Sequence, residues 1–367
     1  MIRYILIFGM ILFWAGCVGN GTYRTRLTGE IEGCKYGTAL LVSADSARNI
    51  LCSSEIDQGK FSLQGNLPEP GEYILKINHV EYILLLDEGE SSVKCNVMTH
   101  TVKQTGGAVM EMEQVFDTWM DEKHKPRLNR VLQAYWDAQK RPEDKEQLER
   151  ATTEYWGRKN LKYYAVRDFI QTYPNSIFSV QQALLMMKET VKGDYERGME
   201  MYALLSPEMQ QTALGKRLHD VIQVFTTVAK GQKIPAIEVE TEDGSPEMVE
   251  NLRGIWVIDF WASWCGPCRN EMVYLKEMYP EVHKLGVNMI SISMDDNFAA
   301  WVKVNREEQI PWRSVRNKYG FKKGLGIREH LQFNAIPYIL LVKDGHIVDR
   351  NLRRGNLKNR IMELLQE

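Results

Sequence analysis

The chain has 367 residues, 44% hydrophobic and 26% charged. That composition excludes a disordered or collagen-like chain, and the length predicts about two or three domains. Lys and Arg number 46 against 48 Asp and Glu, a net charge of −2, which argues against nucleic acid as a partner because such binders carry a basic excess. Six cysteines are too few for a disulfide-built scaffold, so their spacing carries the information.

After Arg3, residues 4–14 are apolar apart from the phenol of Tyr4. The run suits the core of a secretory signal and is shorter than the roughly 20 residues of a membrane span. Ordinary signal cleavage wants small residues one and three places before the cut. A cut before Cys17 puts Trp14 at the second place, and a cut before Gly16 puts Phe13 there. Ala15-Gly16-Cys17 after an apolar run instead resembles a bacterial lipobox, with Trp14 where Leu is usual. The resemblance implies a lipoprotein signal peptide over 1–16, lipidation of Cys17, and a linker over 17–22. The alternative is an uncut N-terminal anchor. Either puts the body outside the cytoplasm, lipid-anchored or tethered on the periplasmic side of the cell envelope, where glutathione does not keep thiols reduced.

From 23 to 105 the pattern is that of strands. Runs rich in Val, Ile, Leu and Tyr at 39–42, 60–63, 73–77 and 82–86 are punctuated by Gly59, Gly65, Pro68, Pro70, Gly71 and Gly89. Short strands between such turn residues predict a small antiparallel, sandwich-like domain. Gly29-Glu30-Ile31, the run from Gly59 to Leu63 and the run from Leu86 to Glu90 resemble the β-rich domain of unassigned function that precedes thioredoxin-like modules in lipoproteins of Bacteroidetes-type bacteria. Thr105-Gly106-Gly107-Ala108 reads as a hinge.

Over 109–230 the period becomes helical. Met112, Val115, Phe116, Trp119 and Met120 recur at three- and four-residue steps, as do Leu161, Tyr164, Ala165, Phe169 and Ile170. These stripes read as core of a helical segment. Tyr173-Pro174-Asn175-Ser176 breaks the pattern, with Asn175 or Ser176 placed to cap the next helix. The basic run 123–127 reads as a solvated loop. After the linker 230–235, strands and helices alternate to residue 367, predicting a largely parallel sheet with helices packed on it. Three zones follow: a β-rich domain over 23–105, a helical one over 109–230, and an α/β one over 231–367.

The chemistry lies in this last zone. Ile255–Trp261 is almost continuously apolar, as expected of a strand covered on both faces. It leads to Cys265-Gly266-Pro267-Cys268, after which residues 269–284 read as a helix. Residues three apart on a helix are neighbours, at a separation that suits a disulfide. Cys265 falls at the helix N-terminus, where unpaired N–H groups and the helix dipole favour a thiolate, and Pro267 fits the first turn. Cys265 is the expected nucleophile and Cys268 the resolving thiol. A structural zinc needs four ligands. There is no second CxxC and no His-x3–5-His pair, so no metal is expected. Haem attachment needs a His where Arg269 stands. A purely structural disulfide stays open, though a four-residue loop before a helix is an odd staple. Gly324-Leu325-Gly326 lacks the rest of any phosphate-binding fingerprint.

The segment from Val257 to Arg269, with Gly254, the run from Ile290 to Asp295, Trp301, and Ile336-Pro337 before the apolar run 338–342, resembles thioredoxin and, over 231–367, the membrane-anchored TlpA/ResA-like branch. The resemblance implies a thioredoxin-like α/β fold and a thiol-disulfide oxidoreductase with no organic cofactor. It implies a redox disulfide Cys265–Cys268, a cis peptide at Pro337, and peptide substrates meeting Trp264, Gly266, Pro267, Ile336 and Pro337. Asp259 matches the family's buried carboxylate. Burial in an apolar strand should raise its pKa, so that it takes the proton of Cys268. Glu271 matches a second proton-handling acid; the alternative is a solvated helix charge. Val273 stands where the family's kinking proline usually falls, which predicts a straighter helix, and Tyr338 is bulkier than the family's frequent Thr.

Implied partners are disulfide-bearing proteins, apocytochrome c thiols among the candidates, with a membrane thiol-electron transporter as donor and the membrane through the lipid anchor. The Gly-Pro pair resembles reducing thioredoxins. An oxidant or isomerase role and a binding lipoprotein that uses the fold as scaffold are the rivals. A peroxidase would show a Pro-x3-Thr-x2-Cys signature, which the sequence lacks. Cys34, Cys52 and Cys95 form one bridge or stay buried thiols, without catalytic role.

Overall fold

The computed structural model describes residues 23–189, 194–322 and 326–367. The expected signal peptide, Cys17, the linker to 22 and Gly324-Leu325 lie outside the described residues. Strands β1 (Tyr23–Glu32), β2 (Gly37–Ser43), β3 (Ile50–Ile56), β4 (Lys60–Leu67), β5 (Gly71–Ile77), β6 (Val80–Leu86), β7 (Gly89–Asn96) and β8 (Thr101–Thr105) come first. Helices follow: α1 (Gly107–Trp119), a π-helical turn at Met120–His124, α2 (Lys125–Gln139), α3 (Lys145–Thr172), α4 (Ile177–Glu189), α5 (Tyr195–Leu204), α6 (Pro207–Gln211) and α7 (Ala213–Gln223). The chain divides into two units. One holds the strands β1–β8 with 106–119, 169–182 and 204–218; the other holds 120–168, 183–203 and 219–367. The helical zone is thus shared between the two units.

In the first unit two four-stranded sheets run in the orders β4-β1-β7-β8 and β3-β2-β5-β6. Alternating side chains from both, among them Leu27, Leu63 and Val93 from one and Leu41, Leu75 and Leu84 from the other, fill one apolar core, so the sandwich follows from period-two patterning. It is not purely antiparallel, because β1 and β7 pair in parallel. The intervening chain forms other strands before β7 returns beside β1, a crossover that short apolar runs do not reveal. Gly106 and Gly107, at φ of 74° and 80°, turn the chain from β8 into α1. Phe116 packs edge-on against Phe169 and Phe178, with centroids 4.9 and 5.6 Å away.

Two details of the helical reading change. Val115 and Tyr164 are exposed, whereas Tyr163 is buried in place of Tyr164; a stripe wide enough to include both tyrosines does not tell which points inward. The basic run 123–127 is helical, because Pro126 sits in the first turn of α2, where its missing N–H costs nothing. Ser176, not Asn175, caps α4, accepting from the N–H of Phe178 at 3.2 Å.

In the second unit, β9 (Ile237–Glu240), β10 (Pro246–Val249), β11 (Ile255–Trp261), α8 (Gly266–Lys284), β12 (Asn288–Ser293), α9 (Phe298–Glu308), β13 (Arg313–Asn317), α10 (Ile327–His330), β14 (Tyr338–Lys343), β15 (His346–Arg350) and α11 (Arg354–Leu364) follow in turn. The sheet order is β10-β9-β13-β12-β11-β14-β15. Only β13, β12 and β11 are parallel neighbours; the flanking strands pair antiparallel. The sheet is therefore mixed, not largely parallel. Asp344 and Gly345, both at positive φ, make the tight turn that folds β15 back on β14.

Helix α8 carries the site. Its inner face, Cys268, Met272, Leu275, Met278 and Val282, follows helical spacing. Met272, Leu275, Met278 and Val282 each contribute about 1.5–3 kcal/mol by burial. The helix ends in a Schellman motif: Val287 N–H bonds to the Val282 carbonyl at 3.1 Å and Gly286 N–H to that of His283 at 3.0 Å. Gly286, at φ 87°, supplies the left-handed residue, and a β-branched residue there would break the stop. The helix continues unbroken through Val273, and its internal proline is Pro280.

Candidate active site

Strand β11 is an interior strand of the second unit's sheet, between β12 and β14, covered on both faces, and a short loop leads from it to α8. The loop between them is pinned from β12's end. The Asp295 carboxylate accepts from Ser263 N–H at 2.8 Å and from Ser263 Oγ at 2.6 Å. Cys265 is the N-cap of α8, its sulfur accepting from Cys268 N–H at 3.2 Å. Cys265 and Cys268 are joined as a disulfide with Cα atoms 5.2 Å apart. Both are nearly buried, Cys265 5% exposed and Cys268 2%, while Trp264, Gly266 and Pro267 around them face solvent.

Facing the pair is the loop before β14. The Ile336–Pro337 bond is cis, and the Ile336 carbonyl lies 3.8 Å from Cys265 Sγ. Ile336 is half-buried and Pro337 buried. Trp264, 60% exposed, packs edge-on at 5.9 Å against Phe321. Phe333 lies 6.4 Å beyond Phe321 and stacks on Tyr338 at 4.8 Å. Tyr338 thus spends its bulk on a wall of rings beside the redox pair.

Two buried acids sit on the strand and helix that flank the pair, Asp259 on β11 and Glu271 on α8. Asp259, in the middle of β11, is buried and accepts from Ser291 Oγ at 3.2 Å. Burial raises its pKa to about 7; the charge of Glu271 adds to the rise, while Ser291 and the guanidinium of Arg353 oppose it. Glu271 is only 3% exposed, which excludes the solvated-charge alternative. Its carboxylate accepts from Arg354 N–H at 3.0 Å and lies 3.8 Å from Arg354 Nε. Arg353 donates to the Pro337 carbonyl, and to Asn351 Oδ1 at 3.1 Å.

The structure thus joins Cys265 to Cys268, sets the Ile336 carbonyl beside Cys265 with the cis bond to Pro337 next to it, and leaves Trp264, Gly266 and Pro267 exposed around the pair, while Asp259 and Glu271 are buried on β11 and α8. Cys17 lies outside the described residues. Cys34, Cys52 and Cys95 are unbridged, and burial pushes the Cys95 thiol up to about 11. Sequence reasoning missed Ser291, Asp295, Phe321, Phe333, Arg353 and Arg354. Ser291 left a signal, one of two hydroxyls, with Ser293, that alternate with isoleucines in a buried strand. The two arginines left none, since nothing local marks them.

A redox-active pair at the start of the helix after a central strand, opposed by a cis-proline, defines the thioredoxin-like class. Residues 230–350 match the AhpC/TSA family, and residues 25–112 match a domain of unknown function, DUF4369. The thiol-disulfide oxidoreductase ResA of Bacillus anthracis is 30% identical over 128 residues, spanning 33% of this chain and 68% of that protein. The ResA of Bacillus thuringiensis subsp. konkukian is 33% identical over 142 residues, 37% of this chain and 77% of that one. The thioredoxin domain of a thiol-disulfide oxidoreductase from Bacteroides vulgatus is 27% identical, with a TM-score of 0.35, and covers 37% of this chain and 98% of that domain. The chain belongs to the ResA-like thiol-disulfide oxidoreductases of the thioredoxin family.

Proposed function

We propose that this oxidoreductase works as a reductant of protein disulfides in the cell envelope, held to a membrane through lipidated Cys17. The observation that carries the catalytic part is the position of Cys265 Sγ. It caps α8, accepts the Cys268 N–H, and sits beside the Ile336 carbonyl at an exposed rim. Helix N–H groups favour a thiolate at that atom. Reduced Cys265 attacks a substrate disulfide, forming one S–S bond and expelling one substrate thiolate. Cys268 then gives its proton to Asp259, attacks Cys265 Sγ, and releases the second substrate thiolate as the Cys265–Cys268 bond closes. Glu271 shares the proton handling through its charge on Asp259. Trp264, Gly266, Pro267 and the Ile336–Pro337 backbone receive the substrate chain.

The Gly-Pro pair between the cysteines supports the reducing direction, since thioredoxin sits near about −270 mV and an oxidant such as DsbA near about −120 mV. A reductant outside the cytoplasm draws electrons from a membrane thiol-electron transporter, and misoxidised envelope proteins or apocytochrome c thiols are its substrates. Ala15-Gly16-Cys17 after the apolar run supports the anchor, and Cys17→Ser should move the protein from the detergent to the aqueous phase in partitioning. The central test is insulin reduction driven by dithiothreitol. The wild type should accelerate it well above a Cys265→Ser control. No acceleration over that control would remove the reductase reading, and a potential near that of DsbA would reverse the direction.

A further inference from the structure

We propose that Asp295 is the positioning residue of the attacking thiol: its carboxylate, by gripping Ser263 at two atoms, holds Cys265 Sγ at the N-cap of α8. The inference rests on the reading of Cys265 as the nucleophile. Asp295 lies just past β12 and is 1% exposed, a buried acid that takes no part in the proton transfer. Its Oδ2 accepts from Ser263 N–H at 2.8 Å and from Ser293 Oγ at 2.6 Å. Its Oδ1 accepts from Ser263 Oγ at 2.6 Å. The Asp295 N–H donates back to Ser293 Oγ at 3.0 Å. Arg316 of β13 donates to the main-chain carbonyl of Asp295 and to Glu240, each at 2.7 Å, so the partners of the carboxylate are three neutral donors. A buried carboxylate is costly unless its oxygens are bonded, and charge-assisted bonds of this length are the strong ones.

Ser263 stands two residues before Cys265. With its N–H and its hydroxyl on one carboxylate, both its main chain and its side chain are fixed. The neighbouring strand ends are tied as well, Met294 N–H to the Trp261 carbonyl at 2.7 Å. The turn then closes with Cys265 N–H on the Ala262 carbonyl at 3.0 Å. From that turn Cys265 Sγ meets Cys268 N–H at 3.2 Å, and Trp264 stands out 60% exposed. Released from Asp295, the loop would let Cys265 leave the N-cap and the N–H groups that favour its thiolate. A negative charge acting on Cys265 through space would do the reverse and disfavour the thiolate. The direction of the change therefore separates the two roles. The charged groups on the neighbouring elements keep their own partners: Asp259 with Ser291, Glu271 with Arg354 N–H, Arg269 with Glu308, and Arg353 with the Pro337 carbonyl.

In the step concerned, the Cys265 thiolate attacks one sulfur of the substrate disulfide. A bond forms between Cys265 Sγ and that sulfur as the substrate S–S bond breaks, and the other sulfur leaves with the electron pair as a thiolate. Only the thiolate attacks. A helix N-terminus favours an anion by an amount that corresponds to about half to one pH unit. Loss of the pin should therefore raise the Cys265 midpoint by that much.

The test is alkylation of the pre-reduced full chain by iodoacetamide between pH 4 and 10, with Cys265 read by mass spectrometry. Asp295→Ala removes the pin and should raise the midpoint by about half to one unit, roughly three- to tenfold slower modification well below the midpoint. Asp295→Asn drops the charge and keeps the shape: its amide oxygen accepts from Ser263 N–H while its NH2 donates to the Ser263 hydroxyl. It should stay within about 0.2 unit of wild type. A midpoint unmoved or lowered by Asp295→Ala, or moved as far by Asp295→Asn, overturns the role of Asp295 while leaving Cys265 as nucleophile. If Asp295→Ala does not fold, Ser263→Ala decides. It deletes only the hydroxyl bond of a half-buried residue and should raise the midpoint by about 0.3–0.5 unit; no rise overturns the role. A wild-type midpoint at or above the roughly 8.5 of a free thiol overturns both the role and the reading of Cys265.

Discussion

At the residue scale, Asp259 carries an energetic cost that is also its use. The carboxyl binds its proton at about 7 in the fold and at about 3.9 in the unfolded chain. Below about pH 3.9 both states are protonated and the difference costs nothing. As pH rises, the unfolded chain ionises first, so stability falls between roughly pH 4 and 7. Above pH 7 the loss is complete, at most roughly 4 kcal/mol at 1.36 kcal/mol per pH unit. Asp259→Asn should therefore be more stable than wild type by about 2–4 kcal/mol at pH 8 and about equal near pH 4, measured by urea unfolding of the oxidised protein. A gain that is the same at both pH values would mean that the carboxyl is not protonated through burial. The acid itself was legible in the sequence because an Asp within an apolar strand stands out. Arg353 was not: it meets the site only through the fold, across a separation that no local pattern spans.

At the element scale, β11 and the start of α8 were legible because each has a short-range cause, a doubly covered strand and a proline in a first turn, whereas the cis-proline loop was legible only through the family resemblance. Topology was less legible. The parallel pairing of β1 with β7 and the antiparallel flanks of the second sheet depend on long-range order. One close approach in the first sandwich offers a test. Gly29 of β1 pairs with Phe61 of β4, and a Cβ on Gly29 would stand 2.0 Å from Cε1 of the Phe61 ring. The ring lies over the glycine, and both belong to the inward face. Gly29→Ala should cost about 1–3 kcal/mol by overpacking. Phe61→Leu should recover part of that loss, read as a positive coupling in a double-mutant cycle. Strict additivity of the two would show that the ring does not depend on the missing Cβ.

At the scale of the whole molecule, the matched relatives account for about a third of this chain, and the redox unit is larger than the matched segment. Arg350 of β15 is 7% exposed as a side chain and bonds to Glu196 Oε2 at 2.6 Å and to the Val228 carbonyl. Tyr274 of α8 reaches Glu149 at 3.5 Å. A fragment over 231–367 would lose these partners, at a cost on the order of 2 kcal/mol for the charged contacts of Arg350. Hydrogen exchange of the β11 amides should therefore be faster in the fragment than in the full chain; equal protection would mean that the helices add nothing to the redox unit. The claim on which the mechanism stands is the ionisation of one sulfur among several. Pre-reduced full chain, alkylated with iodoacetamide across pH 4–10 and mapped by mass spectrometry, reads it out directly against Cys34, Cys52, Cys95 and Cys268. Cys265 should be modified first, with a midpoint well below the roughly 8.5 of a free thiol. Modification of Cys268 ahead of Cys265, or a Cys265 midpoint at or above that of a free thiol, would contradict the account.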